Sequence, residues 1–463
     1  GDDGEPARPP YAAGPGGLLV DFMRWRDAGA PRDAPEARWY LSARSFLTTP
    51  ATRRELLAVD ARRRQGEAGA RATLLAPFAG GTGAGLPYFV LRVPRDRLLE
   101  TALRALAACP DGELKKELKV VFEGEAGVDE GGPRKEFFQL LVPQLFDPIV
   151  GMFAPTPGGA DGSIDEIFFN AACDWYDTEF ELAGLLVGLA VYNSVVLDVR
   201  LPRCAYAKLL AAGPGSDARF EPGLEDLAEL DGQLARGLDQ LLRYEPARDV
   251  EAVFCRTFAD DDPKAPPGDG ALIALSEAGA DAPVTGGNRD AYVVALCDYR
   301  LRGAVSAQFD RFAAGFWRVL AGSALERVVE PEELRVMVQG EPGSLDFDAL
   351  RPVVAYEGFG EAPRDHAVVR ALWDAVRSLD DEGRRLFLMF VTGSKTAPMG
   401  GLGALRPPAH PAFRVQRAGP DSDNLPTAHT CFNTLLLPEY DPPAKLPRLL
   451  AMAIRECEGF GLQ

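Results

Sequence analysis

Hydrophobic and polar positions follow a changing period along the chain, and that period predicts where strands and helices lie. Residues 88–93 (YFVLRV) alternate as a half-buried strand does, and the apolar run at 119–122 predicts a second short strand. Between them, a helical pattern extends from about 96 to 108. A glycine-rich break at 76–87 precedes this mixed unit and predicts a domain boundary.

The most apolar stretch, residues 180–199, is long enough to raise the question of a transmembrane span. It contains Glu181, Asn193 and Asp198, and the flank that precedes it is acidic, which argues against a span. We predict a buried core helix here. The basic stretch at 53–64 has a helical pattern, and we interpret it as a solvated helical face.

Three further patterns predict how the rest of the chain is organised. Leucines recur at helical spacing from 227 to 242 and predict an amphipathic helix, a pattern that is more often part of a core than of an interface. Gly340 and Gly343 flank a proline, and this arrangement predicts a short hinge. Pro447 interrupts the apolar pattern at 444–456, so the last helix either begins at Pro447 or is kinked there.

Length and charge limit the classes of partner. The 463 residues allow two to four folding units, and 46% hydrophobic with 25% charged residues is typical of a globular protein. The net charge of −18 argues against nucleic acid or an anionic membrane as the main partner, because phosphate binding needs clustered Lys and Arg. We expect a basic protein partner instead.

The cysteines and histidines indicate a reducing compartment and no metal. Seven cysteines lie far apart without a C-x-x-C pair, which predicts free thiols. With three histidines and no Cys/His cluster, we predict no zinc site and no cofactor. No charged segment leads into an apolar core after Gly1, so we expect no signal peptide. Because the chain begins with Gly1, we expect a fragment of a longer protein. We also expect a cytoplasmic location, with the nucleus as a second compartment.

One cysteine is placed for chemistry rather than packing. Cys431 lies in a polar turn, residues 425–433 (LPTAHTCFN), directly before the apolar run 434–437 (TLLL), which predicts a thiol at the entrance of a strand. His429 precedes it by two residues, an awkward spacing for a protease-like Cys/His pair. The turn resembles the active-site signature of HECT-type ubiquitin-protein ligases.

A second block supports the same resemblance about 300 residues upstream. Residues 122–139 (FEGEAGVDEGGPRKEFFQ) resemble the motif in the amino-terminal lobe of HECT ligases, where an acidic, glycine-rich loop turns into a helix. Within the family, the chain is most similar to the subgroup of the papillomavirus-oncoprotein-associated ligase.

The resemblance implies an α+β fold with two lobes. An N-terminal extension, residues 1–87, is partly disordered and then helical. A large and mostly helical first lobe, residues 88–339, contains a conjugating-enzyme-binding subdomain at about 224–299. A short flexible hinge, residues 340–343, leads to a smaller mixed second lobe, residues 344–463, which carries the cysteine.

The resemblance also assigns roles to individual residues. Cys431 carries ubiquitin as a thioester between a ubiquitin-conjugating enzyme and the lysines of protein substrates. His429 and Thr430 either orient the thiol or only hold the loop, and Phe460 supports transfer to the lysine. The candidates for contact with the conjugating enzyme are Leu234, Leu238, Tyr244 and Tyr292. Tyr292 stands where close relatives have Phe, so its ring is expected to fill a pocket and its hydroxyl to need a partner.

Two other functions stay open from the sequence. A cysteine hydrolase, such as a deubiquitinase, needs a distant histidine beside the thiol, and only His366 and His410 remain for that role. A catalytically silent scaffold would use residues 224–299 for binding alone. The carboxylate that assists lysine attack also stays open among Asp421, Asp423 and the chain terminus.

Overall fold

A computed structural model of the chain shows two lobes, each with its own hydrophobic core. It describes residues 15–28, 40, 48–78, 85–125, 132–158, 166–174, 177–214, 216, 219–266, 269–405 and 412–459, leaving out the side chains of 15–19, 28, 51, 177, 431 and 457–459. The first core extends from Phe22 to Val338 and the second from Leu345 to Ile454. The expected α+β, two-lobed fold is confirmed.

The first lobe is mostly helical. Its helices are α1 (Pro15–Ala28), α2 (Pro50–Leu75), α3 (Leu98–Ala107), α4 (Asp111–Leu114), α5 (Gly132–Phe146), α6 (Asp177–Tyr192), α7 (Arg203–Ala211), α8 (Leu224–Leu230), α9 (Gly232–Arg243), α10 (Val250–Phe254), α11 (Arg289–Asp298), α12 (Ser306–Leu320), α13 (Leu325–Val328) and α14 (Pro331–Gln339).

Three strand pairs complete the first lobe. They are the parallel pair β1 (Tyr88–Val93) and β2 (Glu117–Phe122), and the antiparallel pairs β3 (Phe153–Pro155) with β4 (Ile167–Phe169) and β5 (Ala259–Asp261) with β6 (Leu272–Ala274). Buried and less buried positions alternate along β2, so one face of the pair lies on the core.

Helix α6 forms the centre of the first lobe by packing closely on α12. A Cβ on Gly184 would lie 1.8 Å from the carbonyl oxygen of Phe312, and one on Gly315 would lie 1.8 Å from that of Glu181. Only glycine allows the two backbones to approach so closely. The core helix predicted at 180–199 is confirmed, although it ends at Tyr192; no helix in the described ranges is long and apolar enough to cross a membrane.

The N-terminal helices belong to the first core. Phe22 and Trp25 of α1 are 0% and 1% exposed, and Leu56 of α2 is also buried. The solvated face expected at 53–64 is wrong for Arg53, which is 6% exposed and forms an ion pair with the buried Glu333 of α14. Both helices are therefore part of the lobe. Of the N-terminal residues expected to be disordered, residues 15–19 belong to α1 and residues 1–14 lie outside the described part.

The second lobe combines four helices with a four-stranded sheet. The helices are α15 (Phe347–Leu350), α16 (Ala367–Ser378), α17 (Asp381–Thr392) and α18 (Leu446–Gly459), and the strands are β7 (Ala355–Glu357), β8 (Arg414–Arg417), β9 (Thr427–His429) and β10 (Thr434–Leu437) in the order β7-β8-β10-β9. Strand β10 pairs in parallel with β8 and antiparallel with β9, so it is internal and buried.

Helix α18 settles the alternative at Pro447. A short 3-10 turn, Pro443–Lys445, leads into α18, which begins at Leu446 and continues to Gly459 without a break at the proline. Pro447 is the second residue of the helix, where its missing N–H removes no intrahelical hydrogen bond. The helix therefore begins beside the proline and is not kinked by it.

Candidate functional site

The backbone of Cys431 lies in the tight connection between two strands of the second-lobe sheet. Residues Thr430–Phe432 form one 3-10 turn after β9, and Asn433 then adopts left-handed backbone angles of φ 48° and ψ 44° before β10 begins. Asparagine tolerates this conformation better than most residues. Strand pairing on both sides of the turn fixes where the backbone of residue 431 lies, and the side chain of Cys431 is outside the described part.

His429 and Thr430 are both next to the turn but differ in exposure. His429 is the last residue of β9, pairs through its backbone with Thr434, and has an exposed side chain. Thr430 is half-buried, and its carbonyl oxygen accepts a hydrogen bond from Lys135 of the first lobe. Their roles at the thiol stay a prediction.

Lys135 and Gln139 of α5 bring the first lobe into this site. The ammonium of Lys135 donates to the carbonyl oxygens of Thr430 and Thr392 at 2.7 and 3.0 Å, and to Asn433 Oδ1 at 3.1 Å. Gln139 Nε2 donates to the carbonyl oxygen of Gly393. Both residues lie within the block 122–139, but spacing alone could not show that they face the other lobe.

Two carboxylates proposed as helpers of lysine attack are held by one ammonium. Lys445 lies 3.1 Å from Asp421 Oδ1 and 3.3 Å from Asp423 Oδ1. The backbone N–H of Asp441 and then Lys445 hold the pKa of Asp421 below its usual value. A carboxylate stabilised in this way is a weaker base, so Asp421 is less suited to take a proton from lysine.

Phe460 lies outside the described residues, which end with Gly459 of α18. Its predicted part in transfer therefore stays a prediction. The chain-terminal carboxylate, at Gln463, lies outside them as well.

The four residues predicted to contact a conjugating enzyme divide into two pairs. Leu234 and Tyr244 are half-buried at the surface of the subdomain, but Leu238 and Tyr292 are 0% and 1% exposed. Side chains so enclosed cannot touch a docked protein in this arrangement, because α8, α9 and α11 pack together around them. The expected surface contact is therefore wrong for Leu238 and Tyr292. These two side chains lie beneath the surface of the subdomain and support it from below.

The expected surroundings of Tyr292 are confirmed. Its ring packs edge-on against Phe258 with the centroids 5.4 Å apart, and Arg256 Nη1 donates to its hydroxyl at 3.3 Å. A buried tyrosine needs such a partner for its hydroxyl. Exposed apolar side chains that sequence patterns missed lie in the same subdomain: Val253, Leu272 and Val294.

The predicted hinge has the backbone angles that favour glycine. Gly340 and Gly343 have φ values of +79° and +97°. A Cβ on Gly340 would lie 2.3 Å from Thr396 Oγ1, so no other residue fits there without movement. The N–H of Glu341 donates to the carbonyl oxygen of Ala397 at 2.7 Å, which ties the segment to the second lobe. Its flexibility stays a prediction.

The other described cysteines are free, as expected, and most are unsuited to nucleophilic chemistry. Burial raises the pKa of Cys109 and of Cys297 to about 11, and it also raises the pKa of Cys204. A protonated, enclosed thiol is a poor nucleophile. Cys255 is the exposed exception among the described thiols, and it lies at the end of α10.

Comparison with known proteins agrees with this geometry. Residues 139–463 match a family described as HECT-domain (ubiquitin-transferase). The chain is 37% identical over 384 residues to probable E3 ubiquitin-protein ligase HECTD2 of Mus musculus and 35% identical over 384 residues to HERC3 of Homo sapiens. It is 30% identical over 442 residues to probable E3 ubiquitin-protein ligase mug30 of Schizosaccharomyces pombe.

These matches cover 81%, 81% and 90% of this chain but only 47%, 33% and 52% of the relatives, so the chain spans about a third to a half of their length. Two of these three relatives carry HECTD and HERC names, which gives no support to the papillomavirus-associated subgroup expected from the sequence. The family match includes Cys431, the turn around it, the second lobe and the first lobe from residue 139 onward. The chain therefore belongs to the HECT-domain family of ubiquitin transferases.

Proposed function

We propose that this chain is the catalytic region of a HECT-type ubiquitin-protein ligase. Cys431 accepts ubiquitin from a ubiquitin-conjugating enzyme as a thioester and passes it to lysines of protein substrates. The observation that carries the proposal is the family match across residues 139–463, together with the strand-turn-strand that presents the backbone of Cys431. No cofactor is needed by this chemistry.

The first step is a nearly balanced exchange. The Cys431 thiolate attacks the thioester carbonyl of the charged conjugating enzyme, a new C–S bond forms, and the donor sulfur leaves as a thiolate. An ordinary cysteine, with a pKa of about 8.5, is a few per cent thiolate at neutral pH, which is enough for this attack. One thioester replaces another, so the step needs no ATP.

The partners follow from the function. The conjugating enzyme would dock on the subdomain at 224–299, where Leu234 and Tyr244 are half-buried and Val253, Leu272 and Val294 are exposed. Aromatic and aliphatic side chains at a surface suit a protein partner. We place the protein in the cytoplasm, with the nucleus as a second compartment, and assign it neither a nucleic acid nor a membrane as partner.

A thioester assay tests the proposal. Purified chain is mixed with a charged conjugating enzyme and separated with and without reductant. We expect a ubiquitin adduct on the wild type that thiols remove, an adduct on Cys431→Ser that resists thiols because it is an oxygen ester, and none on Cys431→Ala. Cys255→Ser is the matched control, since it removes an exposed thiol and should leave the adduct intact. A folded wild type that never becomes acylated would overturn the assignment.

The hydrolase alternative gains little from the structure. His366 caps α16, where its Nδ1 accepts from the N–H of Val368 at 3.4 Å, and its ring lies against Phe359 and near Glu439. An imidazole engaged in this way is poorly placed to act as the base of a Cys/His pair. His410 lies outside the described residues. The relatives are named as ligases, and a hydrolase is not favoured.

A further inference from the structure

A single ammonium group of the first lobe holds the turn that carries Cys431. Lys135 binds the carbonyl oxygen of Thr430, whose carbonyl carbon forms the peptide bond to Cys431, and the amide oxygen of Asn433, which lies two residues beyond it. The lysine is half-buried. A cation thus contacts the backbone before the reactive residue and a side chain after it, in a site partly shielded from water.

A second contact lies one helical turn further along α5. Gln139 donates to the carbonyl oxygen of Gly393, which ends α17 in a left-handed conformation with φ +77°. Residues four apart lie on the same face of a helix, so one face of α5 contacts both the turn and the end of α17. The two side chains therefore act together to dock the lobes at this place.

The contact between the lobes is polar and incompletely filled. Clefts of about 370 Å³ and about 70 Å³ lie beside it, and each is lined by residues of both lobes. These clefts leave open space between the lobes, so the contact is less completely packed than the core of either lobe. An interface held by a few hydrogen bonds between such gaps is suited to open and close.

The charged groups near the turn lie on several elements. Helices α5 and α17 pack against the turn, and four charged residues of α2 line the larger cleft together with Lys135: Arg54, Glu55, Asp60 and Arg62. The other charges of the first turn of α5 are engaged elsewhere, because Arg134 pairs with Glu117 and Glu136 pairs with Arg95. The last two turns of α17, residues 386–392 (LFLMFVT), contain no titratable group. His429 of β9 is the remaining titratable neighbour in sequence.

We propose that Lys135 is a positioning residue that stabilises the thiolate of Cys431 only while the two lobes are docked. The inference rests on the proposed function for its biological meaning. When the lobes separate, the turn loses its cation and Cys431 behaves as an ordinary thiol. When they dock, the positive charge favours negative charge on the sulfur.

The step that benefits is release of ubiquitin from the thioester. The neutral amine of a substrate lysine attacks the thioester carbonyl, the C–N bond forms, and the proton of the amine passes to solvent. The C–S bond then breaks, and the sulfur leaves with the electron pair as a thiolate. A sulfur of lower basicity leaves faster, so a cation at the turn accelerates this departure. Acceptance from the conjugating enzyme needs the turn to reach another surface and does not need Lys135.

The test compares Lys135→Met with Lys135→Arg, which keeps the charge, and with Lys119→Met, which removes a lysine charge from β2. The rate of iodoacetamide alkylation is followed against pH by mass spectrometry, separately for Cys431 and for exposed Cys255 in the same molecules. We expect Lys135→Met to raise the pH midpoint of Cys431 by about one unit and to leave that of Cys255 unchanged. Lys135→Arg should restore the midpoint, and Lys119→Met should not move it.

Two further measurements complete the test. Repeating the comparison in a His429→Gln background removes the neighbouring imidazole, and the shift should persist. In single turnovers, Lys135→Met should accept ubiquitin within about twofold of the wild type but discharge it to free lysine about tenfold more slowly. Thermal melting checks that each variant is folded.

The outcomes separate the two proposals. Equal Cys431 midpoints in the wild type and Lys135→Met, or a Lys135→Arg variant as impaired as Lys135→Met, would overturn the role of Lys135. If Lys135→Met shifts the Cys431 midpoint as expected but the wild type takes up no ubiquitin, the proposed function is overturned and the electrostatic role of Lys135 stands.

Discussion

At the scale of single residues, burial decides what a side chain can do. Lys135 and Arg53 read from the sequence as charges on a helix, yet the first faces another lobe and the second lies in a core. Leu238 and Tyr292 carry the residue types of a docking surface but lie beneath it. The local pattern predicted the helices that carry Arg53 and Leu238, whereas the environments of all four residues depend on elements far away in the chain, which no local pattern encodes.

Lys208 provides a test at this scale. It is 6% exposed, its ammonium lies 4.1 Å from the centre of the Phe309 ring, and burial lowers its pKa to about 8 from 10.5. Between these two pH values the unfolded chain binds more protons than the folded chain, so the free energy of unfolding rises with pH. We expect Lys208→Met to remove up to about 3 kcal/mol of this rise.

Chemical denaturation at steps from pH 7.5 to 10.5 measures the effect as the difference between wild type and variant, which cancels the opposing titration of the buried tyrosines and cysteines. Lys264→Met, at an exposed position, serves as the control. A difference between wild type and Lys208→Met that stays constant over this range would contradict the prediction.

At the scale of elements, the structure explains why the helix at 50–75 is more than an extension. Arg53 of α2 pairs with Glu333 of α14, Nε to Oε1 at 2.8 Å, and also donates to the carbonyl oxygen of Thr48. Asp60, two helical turns further along α2, accepts hydrogen bonds from Arg26 of α1 and from the N–H of Ala324. The helix thus connects both ends of the first lobe through buried polar contacts.

Breaking the buried pair should destabilise the lobe. We expect Arg53→Met to lower the free energy of unfolding by about 3–5 kcal/mol, because Glu333 is left charged and buried without its partner. The double variant Arg53→Met/Glu333→Leu should recover much of the loss, since both charges are then gone.

Urea denaturation measures these changes, with Arg63→Met as the matched control. Arg63 pairs with Glu67 on the exposed side of the same helix, and its loss should change stability by less than about 1 kcal/mol. Equal losses in the free energy of unfolding for Arg53→Met and Arg63→Met would contradict the prediction that the buried pair contributes more than the exposed one.

Elements with a strong local signal were predictable from the sequence. Strand β1 has the bounds that the alternation of 88–93 predicts, and β10 follows the apolar run at 434–437. The short strands β3 to β6 had no such signal, because three residues are too few to show a period. The partner of α2 was equally invisible, since Arg53 and Glu333 are 280 residues apart.

At the scale of the whole molecule, the two cores and the polar contact of α5 with the second lobe determine how the lobes can move. The first core ends at Val338 and the second begins at Leu345, so glycines 340 and 343 lie between two independently packed bodies. The sequence predicted this division by resemblance. It could not predict that the turn of Cys431 lies on α5, because that contact joins residues about 300 positions apart.

A wedge at the contact between the lobes should loosen it. A Cβ on Gly393 would lie 2.8 Å from Gln139 Nε2, so Gly393→Ala should push this flexible side chain aside and break its hydrogen bond to the second lobe, while each core stays folded. Gly401→Ala is the control, because Gly401 also has a positive φ of +71° but no atom within 4 Å of an added Cβ. The rate of hydrogen exchange at residues 430–433 should rise in Gly393→Ala and stay unchanged in Gly401→Ala. Both variants should lose about 1 kcal/mol of stability, because alanine is strained at a positive φ. Equal exchange in the two variants would refute the wedge.

The larger cleft beside Lys135 also has a pharmacological consequence. Arg54 of α2 and Met399 of the second lobe both line it, and burial lowers the pKa of Arg54. A compound that filled this cleft would bind the closed protein alone, and at a free concentration of 100 times its Kd it would favour closure by about 2.7 kcal/mol. For the activity proposed above, such a compound would inhibit turnover by holding the two lobes together, without reacting with the thiol.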